Sequence, residues 1–183
     1  MGSVVPLKKS VNSAYLELRN LISNKLQKVE NLIQEKLRSE VNLIQKMSNH
    51  HLRSGGKRLR ALLTLESAKL TGYKEDKRDI NLAACVELIH SATLLHDDVI
   101  DESKHRRGKP TANEKWKNKT SVLVGDFLFS RAFQLMTKYG NSNTLKILAD
   151  TSVIISEGEV LELSNDKNLE INEDLYFNVV NAK

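Results

Sequence analysis

Apolar residues recur at intervals of three and four along nearly the whole chain, the period of helices that bury one face. Leu18, Ile22, Leu26, Val29, Ile33, Leu37, Val41 and Ile44 fall on one such stripe. They predict a long first helix over residues 10–48, broken near Ser39. Gly55-Gly56 marks a turn. A second helix is expected over residues 58–70, ending at Thr71-Gly72, where glycine supplies a left-handed cap. A third spans residues 78–101, and a polar loop occupies 102–113. Two more helices follow over 114–139 and 143–164, the latter running out in the polar stretch 164–168. The last begins near Asn172 and is still in pattern at Lys183, an ending that reads as incomplete at the C-terminus. With only two prolines and eight glycines to interrupt these patterns, the fold class is all-α.

Composition narrows the picture. At 183 residues the chain can form one domain, 1–183, with a sizeable core, and 40% apolar with 28% charged residues reads as soluble and globular. No apolar run approaches the roughly 20 residues that span a bilayer, and the N-terminus lacks the apolar stretch of a signal peptide. Pro6 stands where a myristoylation pattern requires Ser or Thr. Cys85 is the one cysteine, which excludes an intrachain disulfide and fits a reducing, cytoplasmic setting. The net charge of +5 favours anionic partners. A single Trp and dispersed basic residues do not suit nucleic acid.

The helix at 78–101 carries the first candidate chemistry. Glu87, His90, Leu94, Asp97 and Asp101 share one stripe, and Asp98 lies three residues before Asp101. Carboxylates gathered at a helix C-terminus repel one another and meet the negative end of the dipole. A divalent cation removes both objections. Mg²⁺ takes one or two protein carboxylates and completes its shell with water and phosphate oxygens. A solvated acidic helix end is the plain alternative, but the long run of apolar and small residues before it looks like the wall of an apolar cavity.

Two cationic clusters complement the acids. In Gly55-Gly56-Lys57-Arg58-Leu59-Arg60 a turn leads into a helix N-terminus, which favours anions. Lys57 and Arg60 share a face, and Arg58 is expected to point elsewhere. The spacing is not that of a nucleotide-binding P-loop. Arg106-Arg107-Gly108-Lys109 follows just beyond Asp101, and arginine forks suit phosphate oxygens. Together the clusters describe metal ions and fixed cations around diphosphates.

Gly-Gly-Lys-Arg-Leu-Arg at 55–60, Glu-Leu-Ile-His at 87–90, His-Asp-Asp-Val-Ile-Asp at 96–101, Arg-Arg-Gly at 106–108 and Val-Gly-Asp-Phe at 124–127 resemble the trans-isoprenyl diphosphate synthases, or polyprenyl synthetases. The long-chain, octaprenyl-type branch is the nearest match. Ala61 departs from the Pro usual after the first motif. The resemblance implies an antiparallel α-helical bundle around an apolar cavity, assembled as a homodimer. It implies a prenyltransferase that condenses an allylic diphosphate, such as farnesyl diphosphate, with isopentenyl diphosphate to make polyprenyl chains for quinones such as ubiquinone. Lys57, Arg60, His90 and Arg107 would hold the isopentenyl diphosphate. Asp97 and Asp101 would bind Mg²⁺ with Asp98 in support, and Arg106 and Lys183 would bind the allylic diphosphate. Loss of the allylic diphosphate leaves a carbocation that the isopentenyl double bond attacks, and a proton then passes to the released diphosphate, so no side-chain nucleophile is needed. Small residues at Ala92 and Thr93, with Ile89 behind them, would leave room for a product of around eight units. The family's second aspartate-rich motif is missing from this sequence, which predicts a chain inactive by itself. A non-catalytic partner subunit is one competing reading; a metal phosphohydrolase using His50, His51, His96 and Asp97 is another.

Overall fold

The computed structural model describes residues 11–52, 55–74, 77–166 and 172–183. The expected first helix is three: α1 (Val11–Leu21), α2 (Ser23–Lys36) and α3 (Asn42–Leu52). Its apolar stripe holds in the middle, where Ile22, Leu26, Val29, Ile33 and Leu37 are buried, while Leu18 and Val41 are exposed. The break near Ser39 is present, and Ser39 Oγ accepts the Val41 N–H at 3.1 Å, a local bond that competes with helix continuation. The break at Ile22 is a kink: its φ of −122° leaves the helical range, yet its carbonyl still accepts the Leu26 N–H at 2.9 Å.

The second and third helices lie where the pattern puts them, as α4 (Leu59–Leu70) and α5 (Arg78–Ile100). The expected loop at 102–113 is more ordered than its polarity suggests. It contains strands β1 (His105–Arg106) and β2 (Lys109–Pro110), paired antiparallel with His105 opposite Pro110. Arg107 and Gly108 turn the hairpin with φ of 53° and 75°, the two positive values that a tight two-residue connection demands. The expected helix 114–139 is divided into α6 (Ala112–Trp116) and α7 (Asn118–Tyr139) by Lys117, whose φ is 74°.

Helices α5 and α7 form the closest seam of the first unit. Cys85 Sγ donates to the Ala132 carbonyl at 3.5 Å and Ser121 Oγ to the Leu95 carbonyl at 3.1 Å, which makes the pair antiparallel. Burial pushes the Cys85 thiol up to about 12, so it remains a neutral donor. Small side chains let the backbones approach. At Gly125 even a methyl group would stand 2.2 Å from His96 Nε2.

The chain divides into two compact units, Met1–Tyr139 and Gly140–Lys183. The second consists of α8 (Ser142–Asn165) and α9 (Glu173–Ala182). Asn141 and Asn172 cap these helices by accepting the Thr144 and Leu175 N–H groups at 2.9 and 2.8 Å. Gly158 lets them meet, since a methyl there would stand 2.6 Å from Ala182 Cβ. Among the described residues no helix is long and apolar enough to cross a membrane.

Candidate functional site

A pocket of about 470 Å³ opens where three segments of the first unit converge. The end of α3, the turn after it and the start of α4 supply His51, Gly56, Lys57, Arg58 and Arg60. From α5 come Glu87, His90, Ser91 and Leu94, and the hairpin adds Arg106 and Arg107. The turn owes its path to Gly55, with φ of 84°, and to Arg58, held at φ 50°. Gly56 is small because Arg107 lies against it: a Cβ there would be 3.0 Å from Arg107 Nη1. Tyr15 steadies the same turn by donating its hydroxyl to the Lys57 carbonyl at 2.8 Å.

Buried carboxylates hold this cationic assembly together. Glu87, only 3% exposed, accepts the Ala61 N–H at 3.1 Å and so closes the open N-terminus of α4. Its other oxygen is 3.6 Å from Arg58, which also meets Glu30 at 2.5 Å. Arg58 therefore does not point away from the pocket as its spacing suggested; it lines the wall, turned onto carboxylates. Asp98, 1% exposed, accepts from Arg106 Nε at 2.9 Å and Nη2 at 2.8 Å. Its backbone carbonyl takes the Ser103 N–H and the Asn113 amide, both at 3.0 Å. The hairpin is thus moored to the end of α5. The mooring also offsets the repulsion between Arg106 and Lys109, which are cross-strand partners.

The pocket's charge is legible in its histidines. Burial, and then the Arg106, His90, Arg107 and Arg58 charges, lowers His51 to about 4. Burial and the same arginines together with Arg60 lower His90 to about 4. Both are neutral at pH 7, in a cavity lined by Lys57, Arg58, Arg60, Arg106 and Arg107.

The acids continue α5 beyond the pocket. Asp97 is half-buried and Asp101 exposed, and the Asp101 N–H bonds the Asp97 carbonyl at 2.8 Å, so the two sit one helical turn apart. Among the described residues no group of three or more His, Cys, Asp or Glu forms a closed metal cage. A pair of carboxylates with the remaining positions open to water and phosphate oxygens is a donor set that suits Mg²⁺.

Lys57, Arg60, His90, Arg106 and Arg107 are brought to one cavity, while Asp97, Asp98 and Asp101 are not among its lining residues. Lys183 belongs to the second unit, where it bridges Glu159 at 3.0 Å and Glu162. Burial alone would lower the Lys183 pKa, but the bonds it donates to Glu162 and Glu159 outweigh it and the net shift is upward. Ala92 is fully buried on the stripe of Cys85, Leu88 and Leu95 that meets α7, whereas Ile89 and Thr93 are half-buried and share the stripe of Asp97. The histidines of the phosphohydrolase reading do not gather. His50 faces the Pro110 carbonyl at 2.8 Å, His96 lies 3.2 Å from the Val122 carbonyl, and His51 is in the cationic pocket. Sequence reasoning missed His51 and Glu87 as parts of the site; the one signal was that Glu87 lies on the His90 stripe.

The profile of the family described as Polyprenyl synthetase matches residues 41–183. Octaprenyl diphosphate synthase of Escherichia coli is 47% identical over 129 residues, which are 70% of this chain and 40% of that protein. The crystal structure of a decaprenyl diphosphate synthase from Rhodobacter capsulatus superposes with a TM-score of 0.88 at 49% identity, covering 92% of this chain and 52% of the other. A polyprenyl synthase from Caulobacter crescentus, complexed with calcium and isoprenyl diphosphate, gives 0.89 at 43% identity, covering 92% and 51%. The chain spans about 40% of the E. coli relative and about half of the solved ones.

Proposed function

The chain belongs to the polyprenyl synthetase family, and on that premise we propose that it is the diphosphate-binding part of a long-chain trans-prenyltransferase joining isopentenyl diphosphate to an allylic diphosphate. Its main support is the convergence of Lys57, Arg60, His90, Arg106 and Arg107 on one pocket, with Asp97 one helical turn along α5 from the lining residue Leu94. Lys57, Arg60, His90 and Arg107 hold the diphosphate of isopentenyl diphosphate. Arg106, oriented by Asp98, serves the allylic diphosphate. Asp97 and Asp101 hold Mg²⁺, which when bound neutralises charge on the departing diphosphate. Apolar side chains upstream of Asp97 keep water from the reacting carbons. The working protein is a cytoplasmic homodimer, and its product feeds quinone synthesis. Intact acids and both arginine clusters speak against a purely non-catalytic subunit.

Two measurements test this. Isopentenyl diphosphate binds the chain, and Lys57→Ala or Arg60→Ala weakens binding about tenfold or more, the loss expected for a charge-assisted bond. A chimera joining the chain to the remainder of the E. coli relative incorporates labelled isopentenyl diphosphate into farnesyl diphosphate with Mg²⁺, and Asp97→Ala abolishes that turnover. Undiminished turnover in Asp97→Ala would remove the metal assignment; isopentenyl diphosphate binding that ignores Lys57 and Arg60 would remove the pocket assignment.

A further inference from the structure

His50 and His51 stand side by side in the last turn of α3, yet they serve different sides of it. His50 meets the Pro110 carbonyl at 2.8 Å and packs T-shaped with Trp116, ring centroids 5.1 Å apart, which ties α3 to the hairpin and α6. His51 lines the cationic pocket instead. Among the described residues its ring makes no hydrogen bond. A half-buried imidazole facing a cavity without a protein partner is an unused donor.

We propose that His51 is a further ligand of the diphosphate, joining from α3 the residues that α4, α5 and the hairpin supply. The proposal rests on reading the pocket as a diphosphate site. The groups facing His51 are Lys57, Arg58 and Arg60 before and in α4, Glu87 and His90 on α5, and Arg106 and Arg107 on the hairpin. Another fixed cation here would add repulsion to an already crowded wall. A neutral imidazole does not, and it offers an N–H to a phosphate oxygen. Once the anion offsets the arginines, the ring can also take up a proton, so its second nitrogen becomes a donor. Diphosphate then adds a bridge from the His51 side of α3 to α5 and the hairpin, beside the His50–Pro110 tie.

Calorimetric titration of the chain with inorganic diphosphate at pH 7 tests this. His51→Leu should weaken binding about tenfold, as loss of one bond to a charged group predicts. His51→Gln, which keeps a donor, should stay within about threefold of the parent, and His50→Gln should bind like it. Arg60→Ala reports on the pocket itself. If Arg60→Ala weakens binding while His51→Leu does not, His51 is no ligand and the pocket reading stands. If the parent chain fails to bind, or Arg60→Ala binds as tightly as the parent, the pocket reading falls and the proposal with it. Should His51→Leu fail to fold, ¹³C-histidine NMR of the parent decides. The His51 ring resonance, assigned with His51→Gln, should shift on adding diphosphate. A His51 signal that stays fixed while His90 moves would overturn the proposal.

Discussion

His51 and His90 each bring an imidazole into a ring of guanidinium groups, and both are held near 4 against an ordinary 6.5. Between those values the unfolded chain binds more protons than the folded one, so stability rises with pH and is lost as pH falls from about 6.5 toward 4. The urea midpoint should therefore drop between pH 7 and pH 4.5, through a loss on the order of 1 kcal/mol or more. The drop should be shallower in His51→Gln. An unchanged slope in that variant would mean that His51 does not carry the effect. The neutrality of these rings was not legible from the sequence, where His90 appears on an acidic stripe and, by resemblance, as a diphosphate ligand. Its neighbours Arg60 and Arg107 come from other elements, and Coulomb forces follow distance in space.

The seam between α5 and α7 depends on a missing side chain. Gly125→Ala would drive a methyl into His96 Nε2, which must then leave the Val122 carbonyl. The expected cost is about 1–3 kcal/mol, as overpacking in a filled core usually brings. In His96→Ala the same methyl has space, so a double-mutant cycle should recover most of the loss. Additive losses would place the strain elsewhere. On the proposed function, the same seam bears on which upstream residue limits the product. Ala92 is sealed against α7, so Ala92→Phe should damage the fold before it shortens anything. Thr93 is half-buried on the Asp97 stripe, one turn before it. Each turn advances about 5.4 Å, close to one isoprene unit. In the chimera, Thr93→Phe should cut a product of about eight units sharply while the first condensation continues; chromatography of the dephosphorylated products reads this. An unaltered length would show that Thr93 does not face the growing chain. Helices α4, α5, α8 and α9 could be placed from the sequence because periodicity, Gly72 and the caps Asn141 and Asn172 are local signals. The hairpin and the Lys117 break could not, since positive φ at Arg107 and Lys117 carries no reliable residue signature.

The two units differ sharply in what they bury. In the first, Leu62, Leu65, Leu88, Leu95, Leu128 and Leu135 are at most 1% exposed. In the second, Gly158 is the one buried residue among those described, and Ile147, Ile154, Val160, Leu163, Phe177 and Val180 are exposed. Apolar burial is the main stabilising term, so helices without it open locally at little cost. Hydrogen exchange should therefore protect amides of α5 and α7 most strongly and those of α8 and α9 least. The chain should also bind a hydrophobic dye through the second unit. Equal protection in both units would show that α8 and α9 are covered in solution.

The sequence by itself determined the all-α class, the spacing of Asp97, Asp98 and Asp101, and the two basic clusters. Each of these rests on helix periodicity or turn chemistry within a few residues, and such forces act along the chain. Tertiary structure alone decided that Arg58 is captured by Glu30 and Glu87, that Asp98 is spent on Arg106, and that His51 joins His90 in one cavity. Arg58 is 28 residues from Glu30, and Ala61 is 26 from the Glu87 that caps it. Which partner a charged group finds depends on which side chains burial brings within reach, and no local pattern encodes that choice.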